Sequence, residues 1–101
     1  MERAEVLEAA KGMVCGQRQE DYGSPERNFE VISDLWSVYF KHLRFKGITS
    51  RDVAAMMILL KVGRICGGKP NIDNWIDVAG YAACGGELEE MYAKIYEENS
   101  K

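Results

Sequence analysis

The stretch SRDVAAMMILLKVGRIC, residues 50–66, limits the fold more than any other part of the chain. Wound as a helix, it presents apolar side chains around almost its whole circumference, so other helices must surround it. Strong helix formers recur at helical spacing elsewhere, and strand signals are nearly absent. The expected class is all-α, in a single domain over residues 1–101, because a chain of this length with 47% apolar residues supports one core and not two.

Three further helices are expected around that segment. The first runs from about Glu2 to Arg18 with Val6, Leu7, Ala10, Met13 and Val14 as its buried stripe, weakened by Gly12 and Gly16. The second runs from about Pro25 to Phe45, with Ser24 as N-cap and proline at the first helical position, where its missing donor is not needed. It gathers Phe29, Ile32, Trp36, Tyr39, Phe40 and Leu43 on one face, beside an acidic flank of Glu26, Glu30 and Asp34. Gly47 closes that segment, and TSRD supplies a capping box in which Thr49 caps residues 50–66 and Asp52 reaches back. After GGKPN, Asn71 or Asp73 caps a last helix through Asn99, which the pair Gly85 and Gly86 can kink or interrupt.

Sixteen acids against 13 bases give a formal charge of -3 spread along the chain, without the basic patch that a duplex backbone requires. Cys15, Cys66 and Cys84 have neither disulfide nor zinc spacing, so packing is their expected role in a reduced, intracellular setting. No secretory-like leader and no membrane-length apolar run is present, which points to the cytoplasm. His42 is expected on the surface, and Trp36, Trp75 and Tyr39 in the core or a subunit interface.

Candidate chemistry begins with Lys61 and Arg64, three apart on an otherwise apolar cylinder, where buried cations need acidic partners or anions. Asp73 and Asp77 are the natural candidates, since a short glycine loop brings the end of one helix beside the start of the next. Their spacing of four stacks the two carboxylates on one face about 6 Å apart. Such a cluster is either an internal salt-bridge network or a site in which acids hold a divalent cation while bases meet phosphates. Glu30, Asp34 and Asp52 could add carboxylates, although capping competes for Asp52. In EDYGSPERNF, Tyr22, Arg27 and Asn28 could line a pocket, with Tyr22 stacking on a ring and Asn28 making paired hydrogen bonds to a base edge; DYGSP is equally a tight turn.

DYGSPERNF, DVAAMMILLKVGRI and DNWIDVAGYA, taken in order, resemble a family of small phage and prophage proteins, which in turn look like relatives of the MazG-like all-α nucleoside triphosphate pyrophosphohydrolases. The resemblance covers about residues 18 to 86. It implies a MazG-like four-helix bundle, assembly into dimers or tetramers, and Mg²⁺-dependent hydrolysis of a nucleoside triphosphate to the monophosphate and pyrophosphate in the host cytoplasm. By position, Asp73 and Asp77 match an acidic pair, Lys61 and Arg64 a basic pair facing phosphate, and Asp52 the start of a glutamate cluster. That cluster is otherwise replaced by Ala54, Ala55, Met56 and Met57, none of which ligates Mg²⁺.

The expectation is therefore a nucleotide-handling protein, read first as a pyrophosphohydrolase and second as a non-catalytic binder of a nucleotide or nucleotide-derived signal. A helical adaptor is the third reading. The expected metal ligands are Asp73, Asp77, Glu30 and Asp52; the phosphate contacts are Lys61 and Arg64; the substrate contacts are Tyr22, Asn28, Arg27 and Asp34.

Overall fold

A computed structural model describes residues 1–17 and 24–100. Among the described residues the chain is all-helical, with four α-helices and no strand. Helix α1 spans Arg3–Gly12 and runs into a π-helical turn, Met13–Gln17; α2 spans Pro25–Lys41, α3 Ser50–Gly67 and α4 Ile72–Asn99.

The start signals act as the local chemistry requires. Ser24 accepts a hydrogen bond from the Arg27 backbone N–H at 3.4 Å, capping α2. Thr49 and Asp52 form a complete capping box on α3. Asn71, rather than Asp73, caps α4, its side chain accepting from the Asp73 N–H at 2.9 Å.

Four expectations are corrected. Helix α2 ends at Lys41 instead of Phe45: His42 leaves helical geometry at φ -103° and ψ 7°, and Gly47, at φ 86°, turns the chain toward α3. Gly85 and Gly86 do not interrupt α4. A Cβ on Gly85 would lie 3.6 Å from the Ala54 Cβ, so the small residues let α3 and α4 approach closely, and that packing holds the helix through its weakest point. Regular α-turns in the first helix stop at Gly12, where a π-turn begins, and the expected end at Arg18 lies outside the described residues. Val6, Leu7, Ala10, Met13 and Val14 are all exposed, and among the described residues no other helix packs closely on α1.

Helix α3 is central, packing on α2 along one side and on α4 along the other. The chain is elongated, 56 × 31 × 26 Å. Ile32 and Ala54 are the buried apolar residues among those described, while Asn28, Asp52, Lys61 and Asn74 are the buried polar ones. Such an inventory inverts the usual order of burial. The accessible surface is 7839 Å² for an 11.4 kDa chain, whereas a compact monomer of that mass exposes about 5,800 Å². All three cysteines are exposed and Trp75 lies open on α4, so neither fills a core within one chain. No helix is long and apolar enough to cross a membrane.

Candidate functional site

The hinge between α3 and α4 brings together two of the residues expected to meet. Lys61 Nζ lies 2.8 Å from Asp77 Oδ2, the lysine side chain 11% exposed and the aspartate 44%. The lysine is thus almost sealed and its counter-charge half open. Arg64 follows one turn later, partly buried, and Asp73 is exposed in the first turn of α4. Asn74, next along, is buried.

From the other side, α2 delivers Asn28, which donates from Nδ2 to the Gly63 carbonyl at 3.1 Å. A helix carbonyl accepts only, so the amide nitrogen must face it and the orientation of the group is settled. Oδ1 is buried and has no hydrogen-bond partner among the described residues. With one Nδ2 hydrogen engaged, Asn28 keeps its second Nδ2 hydrogen and the Oδ1 acceptor. Arg27, Glu30 and Asp34 are exposed on α2. Tyr22 lies outside the described residues.

Asp52 belongs elsewhere. Its carboxylate accepts from the Thr49 N–H at 2.8 Å, the Thr49 hydroxyl at 2.9 Å and the Tyr39 hydroxyl at 2.5 Å. The Thr49 backbone bond first, and the Tyr39 hydroxyl next, hold this carboxyl below the usual aspartate range despite its burial. The Tyr39 hydroxyl is pushed up from 10.0 to about 12, by burial first and then by donating to Asp52 and feeling its charge. Nine residues separate Asp52 from Lys61, about 13.5 Å along α3.

These positions test whether the chain's carboxylates fit a magnesium ion. Asp52 is engaged by its cap and by Tyr39, and no group of three or more His, Cys, Asp or Glu side chains is gathered for a metal among the described residues. The described donors do not fit a Mg²⁺ site within one chain.

The Lys61–Asp77 pair makes its own prediction. Asp77→Ala leaves a nearly buried ammonium without its partner and is expected to destabilise the chain by about 2–3 kcal/mol, below the fully buried range because Asp77 is half exposed. The double change Lys61→Met with Asp77→Leu is expected to be neutral or stabilising. Urea unfolding of the three proteins reads the difference.

A cleft of about 570 Å³ opens at the opposite end of α3, between the 42–49 connection and the last turns of α4. Arg51 Nη1 meets both Glu89 oxygens at 3.1 and 3.2 Å, and its guanidinium lies over the Tyr92 ring, 5.8 Å from the centroid. The Arg44 guanidinium lies over Phe45 at 5.6 Å. Sequence spacing does not reveal this cleft, because its residues lie up to 55 positions apart and share no local pattern.

The described residues thus form an all-helical architecture around α3, with a lysine–aspartate pair near the α3–α4 connection. The chain belongs to the family described as "Domain of unknown function (DUF6378)", which matches residues 5–89. It is 42% identical over 86 residues to the "Gene 55 protein" of Mycobacterium phage L5, covering 85% of this chain and 51% of that protein. To the "Gene 55 protein" of Mycobacterium phage D29 it is 39% identical over 93 residues, 92% of this chain and 54% of that one. The chain thus spans about half the length of these phage relatives. No solved structure matches it.

Proposed function

We propose that this chain is a phage-type, nucleotide-binding protein of the host cytoplasm, taking the phosphates of a nucleotide or nucleotide-derived ligand at the α3–α4 hinge through Lys61 and Arg64. The observation that carries this reading is the Lys61–Asp77 pair, in which a nearly sealed ammonium is matched by a carboxylate that keeps 44% of its side-chain surface in solvent. An arriving phosphate competes with Asp77 for the ammonium, and the released carboxylate returns to water at little cost.

Binding is favoured over Mg²⁺-dependent pyrophosphohydrolysis because Asp52 is committed to the capping box and Tyr39, and α3 offers Ala54, Ala55, Met56 and Met57 where further carboxylates would be needed. The MazG-like resemblance supports hydrolysis as the second reading. Calorimetry with a nucleoside triphosphate panel in the presence of Mg²⁺, coupled to a pyrophosphate assay, separates the two. Saturable binding, loss of at least tenfold in affinity in Lys61→Met, and recovery of intact ligand are expected. Absence of binding, or an affinity indifferent to Lys61, would overturn the proposal, and release of pyrophosphate would replace it with hydrolysis.

The same reading includes a homo-oligomer, a dimer or tetramer. Its support is the exposed apolar surface, including Phe29 and Phe40 on α2 and Trp75 and Ile76 on α4. The surface exceeds that of a compact monomer by roughly 2,000 Å², comparable with what each partner of an obligate dimer buries. Sedimentation velocity is expected to give at least twice the mass of one chain; a single 11.4 kDa species would remove the oligomer.

A further inference from the structure

We infer that the cleft between the 42–49 connection and the end of α4 is a second ligand site, one that takes a small planar ring bearing a single anionic group. The cleft measures about 570 Å³, within the range of small-molecule sites. Three aromatic rings, Phe45, Tyr92 and Tyr96, line it together with Arg44, Arg51 and Asn99. Phe45 and Tyr96 are 63% and 71% exposed, so these rings offer open faces rather than packed ones.

The charges narrow the ligand further. Glu89 neutralises Arg51 through both oxygens, which leaves that guanidinium fixed over Tyr92 as part of the wall. Arg44 has no ion pair among the described residues and rests on Phe45. The lining therefore carries one net positive charge, on a chain whose overall charge is -3. A guanidinium is planar, binds carboxylate or phosphate through a fork of donors and stacks on rings. With one uncompensated guanidinium among three rings, the matching guest stacks its ring on Tyr96 and turns one carboxylate or phosphate to Arg44. Asn99 adds an amide able to donate or accept at the edge of that ring. The Thr49 cap of α3 takes no part, because its hydroxyl already serves Asp52.

This site is independent of the hinge site, since Arg51 and Lys61 stand ten residues apart on α3, about 15 Å. The test titrates the isotope-labelled full chain, followed by NMR, with adenosine 5′-monophosphate and, in a separate arm, with indole-3-acetate; adenosine and inorganic phosphate serve as the ring without the anion and the anion without the ring. Both ring-anion compounds are expected to shift the Arg44 side-chain N–H and the amides of Tyr92, Tyr96 and Asn99, each binding at least tenfold more tightly than adenosine or phosphate alone. A response to only one of them assigns the anion as phosphate or as carboxylate. Arg44→Gln and Tyr96→Ala, both at exposed positions, are expected to weaken indole-3-acetate binding at least tenfold and to remove the shifts of these amides caused by adenosine 5′-monophosphate. The inference is overturned by shifts confined to the Lys61 and Asp77 region, by equal affinity in Arg44→Gln, by no response from either compound, or by the same amides moving with protein concentration alone, which would make this face a contact between copies.

Discussion

Gly63→Val is expected to lower the melting temperature sharply, with Gly63→Ala showing the same effect in smaller measure. A Cβ at position 63 would lie 2.6 Å from Ile32 Cγ1. That carbon is an inner atom of one of the few buried apolar side chains, so it cannot swing aside as the tip of an exposed chain would. Forcing the helices apart by one methyl costs about 1–3 kcal/mol, and the branched side chain of valine takes the upper end or beyond. The same displacement breaks the Asn28 Nδ2 bond to the Gly63 carbonyl, exposing the loss in two ways. For a domain of this size about 2 kcal/mol corresponds to roughly 8–16 °C. A calorimetric melting temperature in Gly63→Ala within a degree of the parent would show that α2 and α3 do not cross at this contact.

Asp52→Ala is the second large expected loss, about 3 kcal/mol, because one truncation removes half of the capping box and leaves the Tyr39 hydroxyl without its acceptor. The pH dependence follows from the direction of each shift. The Asp52 carboxyl is held below its unfolded value near 3.8, so its contribution is present above about pH 4 and fades as acid is added through the lower folded value. Tyr39 is raised from 10.0 to about 12, so its contribution is complete below pH 10 and is lost as the pH rises toward 12. Urea midpoints of the parent and Asp52→Asn are thus expected to differ near neutrality and to converge as acid protonates the folded-state carboxylate. A gap that stays constant across that range would mean that the Asp52 charge does not stabilise the fold. Tyr39→Phe is expected to share the neutral-pH deficit while abolishing the alkaline limb.

What could be read without coordinates is what depends on neighbours in the chain. Ser24, Thr49 and Asp52 announce helix starts because a cap is completed within three residues, and Lys61 finds Asp77 because a short glycine connection leaves two helices few ways to fold back. His42 is exposed, as expected of a residue away from the candidate acids and with no ligand spacing around it. Contacts set by helix crossings were not legible. Nothing in the sequence places the Gly63 carbonyl against Asn28. The stripe of α1 looked like core because periodicity records amphipathicity and not the presence of a partner, and among the described residues the stripe is exposed. Gly85 looked like a breaker because propensity counts the lost side chain and not the closeness it permits to Ala54. The exposed cysteines belong with these, since burial of a small apolar group depends on what lies opposite.

The unbroken course of α4 has a mechanical corollary. Asp77 and Glu89 ride on the same rod, twelve residues or about 18 Å apart, with every turn between them hydrogen-bonded. Neither carboxylate can shift along the axis without dragging the other, so α4 works as a ruler that sets the span between the hinge and the far cleft.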